Sequence, residues 1–116
     1  MKEYVTCLTL RIAPERMAEF EAMMEVEAPL TREFDGCERF EAYADQSTPG
    51  VVLFFERWKS KEHEQRYTRW RTDRGDMQRL GAFFSASPTS TVLREFRDTK
   101  NPAPSGSNGS PASTNT

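Results

Sequence analysis

The sequence predicts one small α+β domain whose elements run in the order βαββαβ around a four-stranded antiparallel sheet. Residues 4–12 alternate between two faces, which is the period of a strand. The next stretch spaces apolar side chains three and four residues apart, which is the period of a helix. A second strand, a hairpin, a second helix and a final β-rich stretch follow, and together they give the predicted order.

The first strand and helix follow from this spacing. On one face of the strand lie Tyr4, Thr6, Leu8, Leu10 and Ile12, and on the other Val5, Cys7, Thr9 and Arg11. Pro14 is tolerated in a first helical turn, and Glu15 suits the positive end of the helix dipole. The residues that share one helix face are Met17, Phe20, Met24 and Ala28. We expect this face to pack on the sheet.

Pro29 lies inside the helical pattern. It lacks an amide hydrogen and its ring clashes with the preceding turn, so the helix is expected to kink there or to restart with Pro29 in a new first turn. Residues 30–35 are predicted to form that extra turn. Gly36 then ends the helix, because glycine readily takes the left-handed conformation.

The middle of the chain predicts a hairpin. Its first strand, residues 37–45, places Phe40, Ala42 and Ala44 on one side and Cys37, Arg39, Glu41 and Tyr43 on the other. Residues 46–50 have turn composition, and Val51–Phe55 is apolar on both faces. Two helices can cover only one side of a small sheet, so the other side needs a second copy of the chain or its own loops or tail. A homodimer, paired as a dimeric α/β barrel, is the prediction.

The second half completes the order. Ser60 is a good helix cap, and a helix is predicted from Lys61 to Leu80. Along one stripe of it lie His63, Tyr67, Trp70, Met77 and Leu80, interrupted by Arg74. Residues 80–84 are expected to add a short turn before Pro88, and Thr89–Phe96 to form the fourth strand. The whole gives a ferredoxin-like topology.

Composition sets the domain boundary. Residues 1–97 hold the apolar side chains and form the predicted domain, whereas 98–116 is a Ser-, Pro-, Gly- and Asn-rich tail predicted to be disordered. An alternative is that the tail is a recognition peptide or an arm that reaches the other subunit.

Charge and cysteine content exclude several classes. A net charge of -2 gives no general attraction to phosphate, so nucleic acid is not a predicted partner. Cys7 and Cys37 form no CxxC pair, and the single histidine has no helical partner ligand, so no metal site is predicted. The two cysteines are expected to be free thiols. The chain starts without a long apolar run, so we expect no membrane association and a cytoplasmic location.

Two segments carry a family resemblance: APLTREFDGCERF over residues 28–40 and VLFFERWKSKEH over residues 52–63. The first is similar to the helix end of the antibiotic biosynthesis monooxygenase family, and the second resembles that family's glutamate-x-tryptophan strand exit. With the matching order of elements, the resemblance covers residues 1–97. It implies an oxygenase that needs no metal, flavin or other cofactor and holds an electron-rich aromatic substrate between sheet and helices.

The chain departs from this family at two positions. Members often carry a histidine nine residues after the tryptophan, and here that position is Tyr67. The haem-degrading branch relies on that histidine and on an asparagine in strand one, near which this chain has Cys7. Haem degradation is therefore not predicted.

Three residues are the catalytic candidates. Trp58 has an indole donor that can hold a substrate carbonyl or a peroxy oxygen, or it bridges strand three to helix two in the core. Tyr67 can donate a hydrogen bond to an enolate, or it packs in the core. His63 is the natural base by its ordinary pKa, but its place in the first helical turn suggests a solvated cap.

A further set is predicted to contact substrate: Cys7, Phe20, Met24, Tyr43, Trp70 and Arg74. A buried, inert thiol is the alternative role for Cys7, and the methionines suit an ordinary core. Helix one is acidic and helix two basic, so Arg69, Arg74 or Arg79 either binds an anionic substrate at the pocket mouth or pairs with helix one. The sequence leaves both roles open.

Three functions are compatible with these residues. The first is a cofactor-independent monooxygenase acting with dioxygen on a quinol, an anthrone or a related polycyclic phenol. The second is a non-catalytic dimeric barrel that binds a small aromatic metabolite. The third is a polyketide cyclase or isomerase on the same scaffold, in which an enolate is stabilised and no oxygen is used.

Overall fold

The computed structural model describes residues 2–96 and has the predicted α+β architecture. Its elements are β1 (Tyr4–Ile12), a 3-10 turn (Pro14–Arg16), α1 (Met17–Glu33), β2 (Cys37–Ala44), β3 (Val51–Trp58), α2 (Lys61–Asp73), α3 (Asp76–Gly81) and β4 (Phe84–Leu93). The four strands form one sheet in the order β2-β3-β1-β4, and every neighbouring pair is antiparallel. This confirms the ferredoxin-like topology. The predicted tail, residues 98–116, lies outside the described residues.

The sheet has an inner face, which packs against the helices, and an outer face. Inner-face side chains of β1, β2 and β3 join Phe20 and Ala28 of α1 and the loop residue Phe83 in the core. The buried inner-face members are Leu10, Ile12, Phe40, Val52 and Phe54. Met17 and Met24 pack against the same cluster, so the predicted apolar face of α1 is confirmed.

The predicted restart at Pro29 does not occur, because α1 is one helix as far as Glu33 with Pro29 inside it. Ala28 and Thr31, on either side of Pro29, are both buried. This burial stabilises the last turn although Pro29 supplies no amide hydrogen. α1 ends before Gly36, because Phe34 is already extended with ψ 144°, and Gly36 takes the left-handed conformation, φ 89°, in the turn that follows.

A bulge in β2 corrects the predicted faces of that strand. Cys37 pairs with Trp58, but Arg39 already pairs with Arg57, so the register shifts by one residue between them. An extra residue reverses the alternation of side chains. Cys37 therefore packs against the inner core with Phe40, instead of lying on the side of Arg39 and Tyr43.

The predicted single helix over residues 61–80 is in fact two helices. Gly75 adopts φ 81°, a left-handed conformation that ends α2, and α3 begins at Asp76. Ser60 caps α2 as predicted, accepting a hydrogen bond from the backbone N–H of His63. None of the helices within residues 2–96 has the length and hydropathy that crossing a membrane requires.

The fourth strand begins at Phe84 and ends at Leu93, whereas the sequence predicted residues 89–96. The strand therefore contains Pro88. Among the strands of residues 2–96, β4 pairs only with β1, and its register shifts between the partners of Thr9 and Arg11, next to Pro88. Proline is tolerated at an edge strand and at a bulge because the missing donor breaks no central ladder.

The outer face is built from the alternate residues of the same strands. The pairing places Tyr43, Leu53 and Thr9 in one row and Glu41, Phe55 and Cys7 in the next. Among the residues that the structure describes, each side chain on this face is half-buried or exposed. β3 continues to Trp58, three residues beyond the predicted segment, and its outer face is the more open one.

Candidate functional site

A cavity of about 280 Å³ lies between the inner face of the sheet and the three helices. Its walls are mostly apolar and include Leu8, Met23, Met24, Phe40, Phe54 and Leu80. Polar side chains line one part of the same wall, among them Thr31, Glu56, Tyr67 and Arg71. A concave, mainly apolar space with a few converging polar groups is the usual form of a small-molecule site.

Arg71 of α2 is the centre of the polar wall and is 6% exposed. Its Nη1 donates to Glu27 Oε1 at 2.5 Å and to Asp76 Oδ2 at 2.7 Å. Its Nη2 donates to the Glu27 carbonyl at 3.1 Å and to Thr31 Oγ1 at 3.0 Å. The guanidinium thus joins α1, α2 and α3, and two carboxylates balance its buried charge.

Tyr67, one turn before Arg71 on α2, belongs to the same network. Its hydroxyl accepts a hydrogen bond from Arg71 Nε at 2.9 Å and lies 2.7 Å from Thr31 Oγ1. Burial raises the pKa of the Tyr67 hydroxyl, and the bonds from Thr31 and Arg71 only partly offset it. Tyr67 is therefore a neutral phenol at neutral pH, suited to donating a hydrogen bond and not to accepting a proton.

Arg71 remains a cation in this setting. Burial alone would lower its pKa, but the contacts with Tyr67 and Glu27 outweigh burial and raise the pKa. Its guanidinium carbon also lies 4.9 Å from the Trp70 ring centre. Asp76 bonds to Arg71, Arg74 and Arg79, which holds α3 against α2.

Glu56 reaches the cavity from the inner face of β3. It is paired across the sheet with Thr6 of β1 and Phe40 of β2, which are both buried. Its Oε1 accepts a hydrogen bond from Trp58 Nε1 at 3.1 Å. Burial raises the pKa of the Glu56 carboxyl, with a smaller contribution from the charge of Glu64, while Trp58 and Arg71 lower it.

Trp58 is fully buried beside the cavity and does not line it. Its ring centre lies 4.9 Å from that of Tyr67 and 6.3 Å from that of Phe34. These contacts fix the indole, and its N–H is directed at Glu56. Trp58 therefore combines the predicted bridge between β3 and α2 with the orientation of a cavity carboxyl.

The other candidates lie in different parts of the fold. Of the predicted site residues, Tyr67 and Met24 line the cavity. Phe20 is in the core, with ring centres 6.4 Å from Phe54 and 5.8 Å from Phe83.

His63 lies at the start of α2, where its Nδ1 is 2.7 Å from Ser60 Oγ and its Nε2 is 3.8 Å from the Asp35 carboxylate. Its side chain is only 13% exposed, so the predicted solvated cap is in fact a largely buried one. The ring packs on Gly36, and His63 does not line the cavity.

Two predicted contact residues, Cys7 and Tyr43, lie on the outer face. Tyr43 is 53% exposed, and its ring centre is 6.0 Å from that of Phe55. Cys7 and Cys37 are both free thiols, as predicted.

Two of the three candidate arginines, Arg74 and Arg79, pair with Asp76. Arg74 bonds to Asp76 at 3.2 Å and lies over Trp70 at 4.7 Å, and neither residue lines the cavity. Arg79 lines the cavity but is bound to Asp76. The contact with acidic α1 is made by Arg71, which the sequence analysis did not single out.

Glu56 and Arg71 are the main site residues that sequence reasoning missed. Both carried a signal. Glu56 lies an even number of residues from Val52, Phe54 and Trp58 on β3, so its carboxylate is on the same, inner face of the strand. Arg71 follows Tyr67 by four residues and so lies on the same helix face.

The fold and the cavity together define a small α+β domain with a pocket between sheet and helices. A comparison with family models sharpens this class, because residues 4–74 match the antibiotic biosynthesis monooxygenase model. The match spans more than half of the chain, and the protein belongs to this family. A comparison with curated protein sequences gave no match.

Solved structures share the fold. A conserved protein of Methanosarcina mazei Go1 is similar with a TM-score of 0.74 and 17% identity, over 83% of this chain and 95% of that one. A proposed antibiotic biosynthesis monooxygenase of Deinococcus radiodurans has a TM-score of 0.73 and 19% identity, over 86% and 99%. A proposed antibiotic biosynthesis monooxygenase of Caulobacter crescentus CB15 has a TM-score of 0.72 and 18% identity, over 82% of this chain and 91% of that one.

Proposed function

We propose that the protein is a cofactor-independent monooxygenase that oxidises a quinol, an anthrone or a related polycyclic phenol with dioxygen. The observation that carries the proposal is the apolar cavity with Tyr67, Thr31 and Arg71 along one wall. Its volume of about 280 Å³ is near the lower limit of small-molecule pockets, roughly 300 Å³, and suits a few fused rings. The family membership supports the reaction type.

The polar wall suits the charge that such a reaction develops. A deprotonated phenol or anthrone carries negative charge on oxygen, and a fixed donor beside it lowers the barrier. Arg71 donates to the Tyr67 oxygen, so when Thr31 donates as well, the Tyr67 hydrogen is left for the ligand. Arg71 is shared with Glu27 and Asp76, and therefore acts mainly by holding Tyr67 in place.

The overall reaction is balanced without a cofactor. For an anthrone, the activated CH₂ becomes C=O, one oxygen atom enters the product and the other leaves as water. The substrate loses four electrons and dioxygen gains four. The protein has to bind the substrate, move a proton and exclude water, all of which side chains can do.

The test is oxygen uptake by the purified protein with 1,8-dihydroxyanthrone and no added cofactor. We expect the product to gain one oxygen and lose two hydrogens, with one labelled atom from ¹⁸O₂. Tyr67→Phe should lower kcat by about 100-fold, the usual loss when one oxyanion donor is removed. The matched control is Tyr43→Phe, which removes a hydroxyl from the outer face and should leave kcat unchanged.

Two other outcomes identify the alternatives. The polar groups of the cavity largely satisfy one another, a feature that also suits binding without chemistry. Tight binding without oxygen uptake would support a non-catalytic barrel. A product of unchanged mass would support a cyclase or isomerase.

We also propose that two copies pair through their outer faces, as in a dimeric α/β barrel. Val5, Leu53 and Phe55 lie together there without being buried, and a contiguous apolar surface of this kind favours association. Light scattering at micromolar concentration should give twice the mass of one chain for the wild type. The Phe55→Glu variant should have the mass of one chain. A monomeric wild-type protein would contradict the pairing. The free thiols suit the predicted cytoplasmic location.

A further inference from the structure

We propose that Glu56 is the base that removes the proton from the bound substrate before dioxygen reacts. This rests on the proposed function, in which an acidic phenol or anthrone occupies the cavity, and it names a residue outside the predicted catalytic set. Glu56 projects from the inner face of β3 and lines the cavity, between the cross-strand neighbours Thr6 and Phe40.

The carboxyl has one hydrogen-bond partner within residues 2–96, the Trp58 indole at 3.1 Å on Oε1. This bond orients the group and leaves Oε2 for a ligand. Trp58 is itself held by the rings of Tyr67 and Phe34, so the orientation does not depend on solvent. A base held in position on a rigid strand meets the geometric requirement for proton transfer.

The charged groups around Glu56 favour proton uptake. The charge of Glu64 on α2 repels the Glu56 carboxylate, whereas the charge of Arg71 on α2 attracts it. The thiol of Cys37 on β2 and the phenol of Tyr67 are neutral. Burial and Glu64 prevail, and the pKa of Glu56 is raised. A carboxylate with a raised pKa is a stronger base than an ordinary glutamate.

The other titratable groups near the cavity are less suitable. Glu27 and Asp76 each accept a hydrogen bond from the Arg71 cation, so each already has a charged partner. The pKa of Tyr67 is raised, which keeps its hydroxyl protonated. Glu64 accepts a hydrogen bond from Thr68 at 2.9 Å. Among the described cavity residues, Glu56 and Glu64 are the carboxylates without an arginine ion pair, and of these two Glu56 is the one held by the buried Trp58 indole.

The step is a simple proton transfer. The C–H bond of the anthrone methylene breaks, its electron pair moves into the ring system as the enolate, and the proton forms an O–H bond with Glu56. The enolate then reduces dioxygen, as in the proposed reaction. The protonated Glu56 returns its proton when water leaves.

Hydrogen exchange tests this step separately from oxidation. Under nitrogen in D₂O, the full chain should catalyse exchange of the methylene protons of 1,8-dihydroxyanthrone, followed by ¹H NMR. Glu56→Gln keeps the size of the side chain and should lower the exchange rate by about 100-fold or more. Glu56→Asp should recover part of the rate, and the exposed Glu25→Gln should retain all of it.

The pH dependence gives a readout that a purely structural role would not change. The wild-type exchange rate should rise as Glu56 ionises. Glu64→Gln removes a repulsive charge and should move this rise to lower pH. Thermal unfolding of each variant checks that it is folded.

The outcomes separate the two proposals. Exchange under nitrogen that Glu56→Gln loses, without oxygen uptake in air, overturns the oxygenase and supports Glu56 as the base. No exchange above the background, or a folded Glu56→Gln that exchanges within about twofold of wild type, overturns the role of Glu56.

Discussion

The layer between the sheet and the helices has two unlike halves. In the packed half, Phe20, Phe83, Leu10 and Ile12 are each 9% exposed or less and make apolar contacts. In the charged half, the side chain of Arg71, also buried, is held by carboxylates and hydroxyls around a cavity. Dense apolar packing stabilises a fold, whereas buried charges and open space cost stability. The difference indicates that the packed half maintains the fold, and it agrees with the proposal that the charged half holds a ligand.

The largest expected effect is in the packed half. Phe20→Ala removes a buried ring that contacts Phe54 and Phe83, and should lower the free energy of unfolding by about 3–5 kcal/mol. Urea unfolding measures this. Val26, on the same helix, is 66% exposed, so Val26→Ala should change stability by less than about 0.5 kcal/mol. A small effect of Phe20→Ala would remove the basis for calling this half the stabilising one.

The charged half should respond to the loss of its cation. Arg71→Met leaves Glu27 and Asp76 without their buried partner and should lower the free energy of unfolding by about 3 kcal/mol. Adding Glu27→Gln and Asp76→Asn should restore much of the loss, because no buried carboxylate then lacks its cation, and the other partners of Asp76, Arg74 and Arg79, are partly exposed to solvent. If the triple variant is as unstable as Arg71→Met, packing and not charge determines the stability of this half.

Gly36 lies in the turn between α1 and β2, beneath His63 of α2. An added Cβ would clash with the His63 ring, and φ is 89°, so Gly36→Ala should cost at least about 1–2 kcal/mol. Gly81→Ala is the matched control, since an added Cβ there meets nothing within 4 Å. It should leave the protein as stable or about 0.5–1 kcal/mol more stable. Equal thermal midpoints for the two variants would contradict the contact with His63.

The smallest effect is a slope with pH. Because the pKa of Glu56 is raised above 4.5 by burial, the folded protein keeps a proton that the unfolded chain releases. The free energy of unfolding should therefore fall as pH rises from 4.5 through the raised pKa. Cys37 and Tyr67 add similar falls only above their ordinary values of 9.0 and 10.0.

Glu56→Gln carries no titrating group and should lack the acidic part of this fall, as measured by urea unfolding at a series of pH values. It should be at least as stable as wild type at neutral pH. An unchanged slope in the variant would show that Glu56 is not the group responsible.

Local patterns predicted much of the fold. The alternation of β1, the helical face of Phe20 and Met24, and the left-handed turn at Gly36 all depend on neighbours in sequence. The errors came from longer-range effects. Whether Pro88 interrupts a strand depends on β4 being an edge, and whether Gly75 ends a helix depends on the contacts of Asp76 with three arginines.

The site was less predictable for a related reason. Tyr67 and Met24 were found because they lie on periodic faces. In the sequence, Arg71 resembles any charged residue on a helix surface. Its partner Glu27 is 44 residues away, and the structure is needed to bring the two together. The raised pKa of Glu56 likewise depends on the side chains that bury it in the folded protein. No residue spacing in the sequence predicts a cavity.

The two edges of the sheet determine how the domain can aggregate. On β4, Pro88 removes an amide donor from the strand, and on β2, Arg32 occupies the Phe40 carbonyl at 3.3 Å. A growing ribbon of strands needs an uninterrupted row of both groups. Neither edge strand has such an uninterrupted row of donors and acceptors. Concentrated solutions should therefore resist fibril formation, even though the outer face of the sheet is not buried within one chain.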